Sequence, residues 1–198
     1  MTSKWWANEE FWRKGAIWVT SVMLLVLIGL TFDTIPKISV GSERVPAYSV
    51  INQRIDYVFN KERNFQVPVI GVEQPLFGKV LSEDEAEAEA QVTWGKKITQ
   101  GRNCMNCHTL LGNGAYYAPD LTKSWLDPNW GDSSTREAMM ITFLMDPPNN
   151  YMNDSGRKMP NMNISEDEAK ALIAFLKWMS SIDTNGFPYN FKPIDQEG

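Results

Sequence analysis

Cysteine and histidine are almost missing from this chain of 198 residues, which holds two of the first and one of the second. That scarcity excludes a good deal. A structural zinc site takes four protein ligands, usually cysteine or histidine, and three such residues cannot complete one without a carboxylate or a second chain. A binuclear copper centre, or a catalytic metal held by several histidines, fails on the same count. Two cysteines three positions apart cannot close a long loop, so no disulfide framework holds the fold. Basic residues are in deficit too, 19 Lys and Arg against 24 Asp and Glu, for a net charge of −5. A protein that grips a phosphate backbone needs a basic face, so nucleic acid is not an expected partner.

Apolar residues are not scarce. Their share of 43%, with 22% charged, permits a packed core and argues against general disorder. Residues 15–32, GAIWVTSVMLLVLIGLTF, contain no charge. As a helix this run spans about 27 Å, enough for a bilayer core. Trp5, Trp6, Phe11 and Trp12 precede it, as an interfacial aromatic belt would. A cleaved signal peptide is the main rival and a buried soluble helix a lesser one. The exit TFDTIPKISV has no small-x-small cleavage site, which favours a retained anchor. Lys4, Arg13 and Lys14 stand before the span, against Asp33 and Lys37 after it, so the N-terminus is expected in the cytoplasm and the remainder outside.

The expected organisation is an anchor over residues 1–34, an extracytoplasmic linker or insert over 35–81, a helical domain over 82–190 and a tail over 191–198. The insert carries Pro36, Pro46, Pro68 and Pro75 and reads as loops with two or three short strands, a spacer resting on a neighbour. A helix is expected from Ser82, with Ser82 and Glu85 as a capping box and Val92, Gly95 and Ile98 on its apolar face. Its alternating glutamates read as a solvated face, or as a docking patch for a basic electron carrier. A shorter helix is expected near 133–145, ended by Pro147 and Pro148. A third spans 165–182, capped by Ser165 and Glu168, with Ala169, Leu172, Ile173, Leu176 and Met179 at helical spacing.

All three scarce residues lie in 101-GRNCMNCHTLLGNGAYYAPDL-121. Cys104-x-x-Cys107-His108 has the spacing for covalent haem c: two thiols for the vinyl groups and an adjacent histidine for the iron. A dithiol redox pair would want a βαβ setting, and none is visible. One histidine rules out a second attachment motif and bis-histidine ligation within the chain. The sixth iron ligand is then expected to be a methionine. Met145, Met152, Met159 and Met162 are the loop candidates. Met159 is preferred because Gly156 permits a turn and Pro160 stiffens the loop ahead of the last helix. The ligating histidine should donate its other ring N–H to a nearby acceptor, for which the Pro119 carbonyl is suitable. Tyr116 and Tyr117 would cover porphyrin or simply pack. A single six-coordinate haem with no acid–base dyad beside it suits electron transfer rather than catalysis.

The stretch 101–121, the later 156-GRKMPNMNISEDEAKALIAFLKWMSSIDTNGFP-188 and the anchor resemble the small, membrane-anchored cytochrome c subunit of bacterial nitric oxide reductase, over roughly residues 1–35 and 93–190. CHTLLG-x-GAYYAPDL carries most of the likeness. The resemblance implies an all-α, class I cytochrome c-like domain on one N-terminal transmembrane helix, here with an irregular or partly β insert. It implies haem c on Cys104, Cys107 and His108, with Met159 as distal ligand, and a periplasmic haem domain at the bacterial inner membrane. As partners it implies a soluble cytochrome c or cupredoxin donor and a large subunit with haem b and non-haem iron, where two NO become N2O and water. It also implies a calcium between the subunits, held here by the Gly114 carbonyl and Tyr116. A free-standing tethered carrier and a cytochrome subunit of a related oxygen reductase are the alternatives. Residues 35–92 are the departure, because the family goes from anchor to haem domain in far fewer.

Overall fold

The computed structural model describes residues 5–78, 84–147 and 157–189. Its first long element is α1, Glu9–Ile38, capped by Asn8, whose side chain accepts from the Glu10 and Phe11 amides. Helix α1 is long and apolar enough to cross a membrane, and its residues are exposed along its whole length. The Thr31 hydroxyl donates back to the Leu27 carbonyl, which satisfies a polar group inside the apolar run. The helix continues a turn beyond residue 34 and through Pro36. There Lys37 pairs with Asp33 at 2.7 Å, and the Thr34 and Ser39 hydroxyls donate back to the Leu30 and Ile35 carbonyls.

The insert forms one antiparallel hairpin, β1 (Gln53–Asn60) and β2 (Phe65–Glu73). Asn60 shapes its turn by accepting from the Glu62 and Arg63 amides, and Asn64 takes a left-handed φ of 57°. Pro68 lies opposite Tyr57, and a two-stranded sheet has a free outer edge on which a missing N–H costs nothing.

A lone hairpin is at best marginally stable in water. This one is held by the helical region of its own chain. Ile51, Ile55, Tyr57 and Leu76 are buried in the same cluster as Val92, Trp125, Ile173 and Phe175. Polar bonds fasten the seam: the Trp178 indole donates to the Pro46 carbonyl, the Lys177 amine to the Gln74 carbonyl, and the Phe77 amide to Glu137. The segment is thus packed into the fold of its own chain, which is more than a spacer requires.

Helix α2, Glu85–Gly101, is capped by Asp84, whose side chain accepts from the Ala86 amide. The expected cap, Ser82, lies outside the described residues, and its expected partner Glu85 is the first residue of the helix. Its carboxylate instead accepts from the Tyr48 and Ser49 amides, at the start of a short 3-10 turn, so it is not part of a solvated face. Helices α3 (Arg136–Met145) and α4 (Glu166–Ser181) complete the domain. Ser165 and Glu168 form the reciprocal capping box at the start of α4.

Helix α4 is the spine. Ala169, Leu172, Ile173, Leu176 and Met179 are all buried, and so are Ala171, Ala174, Phe175 and Lys177, because α2 covers one side and the hairpin region another. Gly95 sits where α2 meets α4: a Cβ there would lie 2.1 Å from the Ala171 carbonyl oxygen. Two lysines are buried where α4 and its end meet the insert and the segment around Trp125. Lys123 donates to the Ile182 carbonyl at 2.7 Å, and the Lys177 amine lies 5.2 Å from the centre of the Trp125 ring. Burial pulls both amines down to about 7; Asp183 and Asp120 oppose the shift at Lys123, and Glu137 opposes it at Lys177.

Candidate cofactor site

The chain leaves α2 through Asn103, which adopts a left-handed φ of 55° and turns directly into a single 3-10 turn, Cys104–Asn106. The His108 amide donates to the Cys104 carbonyl at 2.9 Å, closing the motif on itself. A small hairpin follows, β3 (Thr109–Leu110) and β4 (Asn113–Gly114). Its two turn residues, Leu111 and Gly112, have φ of 51° and 77°, the signs that a type I′ turn requires. Leucine is a poor residue for that conformation. It is held there because its amide donates to the Thr122 hydroxyl, and the next amide donates to Asp120.

The segment after β4 folds back along the motif. The Ala115 amide donates to the Met105 and His108 carbonyls, the Ala118 amide to Cys107, and the Leu121 amide to Thr109. This return brings the Pro119 carbonyl 2.8 Å from His108 Nδ1. A carbonyl can only accept, so Nδ1 carries the proton and Nε2 keeps its lone pair for a metal. Gly114 has φ of 127°, and a Cβ there would lie 2.2 Å from the His108 carbonyl oxygen. No other residue fits at that position without moving the histidine. The two cysteines are free thiols of intermediate exposure, and burial raises the Cys104 pKa.

These residues open onto a largely apolar cavity of about 640 Å³. Its size is within the roughly 300–1,000 Å³ of ligand and cofactor sites. Cys104, Cys107, His108 and Pro119 line it, and so do Met159, Pro160 and Met162 from the loop ahead of α4. Trp130 and Phe143, edge to face at 5.4 Å, add an aromatic wall, and the Trp130 indole N–H is satisfied by the Ser124 carbonyl. A flat apolar macrocycle with covalent attachment and two axial ligands would find each requirement here: thiols, an imidazole with a free nitrogen, a thioether, and apolar walls.

The structure thus brings together Cys104, Cys107, His108, Pro119 and Met159. Of the other loop methionines, Met162 lines the cavity while packing against the Ile98–Leu172 cluster, and Met145 ends α3 away from the cavity walls. Met152 lies outside the described residues, as does Gly156. Tyr117 lines the cavity, half exposed, whereas Tyr116 is 81% exposed and donates to the Gly112 carbonyl at 2.9 Å. Gly114 and Tyr116 share that outward loop. Among the described residues, no group of three or more His, Cys, Asp or Glu side chains could hold a metal ion.

Two arginines of the cavity wall belong to no motif. Arg102 and Arg157 both line the cavity, Arg102 bonded to Glu168 and Met162 and Arg157 to Tyr117. Their nearness in sequence to Cys104 and Met159 is the only local signal of their place.

Comparison with known proteins gives a consistent result. The cytochrome c family model matches residues 92–180. The C subunit of nitric oxide reductase from Stutzerimonas stutzeri is 36% identical over 108 residues, covering 54% of this chain and 70% of that protein. The protein of the same name from Paracoccus denitrificans is 30% identical over 122 residues, 60% of this chain and 79% of that one. The one from Cereibacter sphaeroides is 32% identical over 102 residues, 50% and 67% of the two chains.

Proposed function

Since the chain belongs to the family of the nitric oxide reductase C subunit, and its cytochrome c domain implies a covalently bound haem c, we propose that it is the electron-entry subunit of a membrane nitric oxide reductase. It takes electrons from a soluble periplasmic donor, a cytochrome c or a cupredoxin. It passes them to the haem b of a large catalytic subunit, in which two NO, two electrons and two protons become N2O and water. The observation that carries this reading is the convergence of Cys104, Cys107, His108 and Met159 on one apolar cavity.

Each residue has a part. Cys104 and Cys107 supply the thioether sulfurs. His108 presents Nε2 to the iron because Pro119 holds the proton on Nδ1. Met159 would supply a thioether sulfur to the iron, a ligand that favours the reduced state. When bound, haem c supplies the one-electron redox change. Cavity walls of Trp130, Phe143, Leu172 and Leu176 keep water from that centre.

Helix α1 serves as a single-pass anchor, with the N-terminus cytoplasmic and the haem domain periplasmic at the inner membrane. Its length, hydropathy and full exposure support the span, and the basic residues ahead of it, Lys4, Arg13 and Lys14, support the orientation. The Gly114 carbonyl and the Tyr116 hydroxyl lend neutral oxygens to a calcium shared with the large subunit. Neutral oxygens suit a hard cation, and carboxylates to balance its charge would come from the partner.

Purification of the native complex from membranes tests the reading directly. A co-purifying subunit with haem b and non-haem iron, and NO consumption driven by a reduced soluble donor, are the expected results. A complex with no non-haem iron in its large subunit would overturn it.

A further inference from the structure

The methionine loop, residues 157–164, contains no helix or strand, yet it must deliver one sulfur to a fixed point. Two arginine bonds tie it to the attachment segment. Ahead of Met159, Arg157 Nη1 donates to the Tyr117 carbonyl at 2.8 Å, and its guanidinium lies 5.2 Å from the centre of the Tyr117 ring. Beyond Met159, Arg102 Nη1 donates to the Met162 carbonyl at 3.2 Å. Arg102 Nη2 also reaches both carboxylate oxygens of Glu168 at 2.8 Å. Glu168 is in turn locked by the capping box with Ser165.

The two braces differ in origin and straddle the methionine. Arg102 stands just before Asn103 and Cys104 and reaches across to the loop. Arg157 belongs to the loop and reaches back to the segment after His108. Between them lies Pro160, which stiffens the backbone, and just beyond them lies Asn163, whose left-handed φ of 52° is supported by the Asn161 side chain.

We propose that Arg102 and Arg157 are paired positioning residues that latch the Met159 loop to the haem-attachment segment and so keep the methionine on the iron. This rests on the reading of Met159 as axial ligand. With one latch lost, the loop samples an open arrangement more often, and an external ligand competes better for the sixth position. A hydrogen bond from a charged donor is strong enough to shift that balance by about tenfold. Arg102 should matter more, because its guanidinium joins loop and helix cap at once. Lysine should restore only part of its effect, since an ammonium cannot reproduce the planar fork.

The test uses the full-length holoprotein, with imidazole as the competing ligand and the far-red sulfur-to-iron charge-transfer band as the reporter. Imidazole should bind about tenfold more tightly to Arg102→Gln and measurably more tightly to Arg157→Gln, with Arg102→Lys intermediate. Urea midpoints measured alongside separate a latch from general instability. Should Arg102→Gln not accumulate, the exposed Arg157→Gln alone decides. Unchanged imidazole affinity in the arginine variants would overturn the proposal, and so would gains that merely parallel lost global stability. Met159→Ala distinguishes the underlying reading: a band that survives that substitution assigns the ligand to another methionine, whatever the arginines do.

Discussion

Gly95 and Ala171 bring two helices into backbone contact. The α-carbon of one faces the carbonyl of the other so closely that a single methyl group would stand 2.1 Å from oxygen and 2.7 Å from Phe175 Cβ. Gly95→Ala would gain about 1 kcal/mol of helix propensity in α2 and lose more to the forced separation from α4. A net destabilisation of about 2 kcal/mol is expected from urea unfolding. A neutral or stabilising result would mean that the helices part without cost.

Leu76 tests whether the insert and the helices share one core. It is completely buried, in the cluster that also holds Val92 and Phe175. Leu76→Ala should cost about 3 kcal/mol. The loss should lower the midpoint of a single transition that also releases the α4 amides to hydrogen exchange. A separate early transition confined to the hairpin would show that the two regions unfold independently.

Lys177 makes stability depend on pH in a definite direction. Its folded pKa is pulled down to about 7 by burial, against the ordinary 10.5 of the unfolded chain. Between those values the unfolded state holds a proton that the folded state lacks, so raising the pH favours folding. The urea midpoint should therefore rise between pH 7 and pH 9. Lys123, with the same shift, contributes in the same sense. Lys177→Met should flatten part of the rise while losing the bond to the Gln74 carbonyl. A midpoint independent of pH over this range in the unsubstituted chain would contradict it.

Calcium removal addresses the outward loop. Prolonged chelation of the native complex should release one calcium and weaken subunit association, and Tyr116→Phe should ease that release. An intact complex that never contained calcium would exclude the role assigned to Gly114 and Tyr116.

The chemistry of the site was more legible in the sequence than the packing around it. Covalent attachment demands contiguous residues, so Cys104, Cys107 and His108 announce themselves. The Ser165–Glu168 cap is likewise local, and the structure contains it. Gly95 was readable as part of an apolar face, but the reason for glycine depends on Ala171, far along the chain. Short strands were legible in the insert, but their packing was not, because Pro68 interrupts the alternation and because Ile55 and Tyr57 find their partners on α2 and α4. Glu85 read as half of a local capping box with Ser82, since its actual acceptor role requires the Tyr48 and Ser49 amides to arrive from the insert.

The Asp183 amide donates to the Arg44 carbonyl, fixing the chain just past α4 to the chain just past α1. From Ile38 to Arg44 there are six backbone steps, at most about 20 Å when fully extended. The turn closed by the Gly41 amide on the Val45 carbonyl shortens that reach further. A redox domain on so short a leash cannot commute between distant stations. Under the proposed function it would serve as a fixed relay, and the proposed soluble donor would be the component that travels.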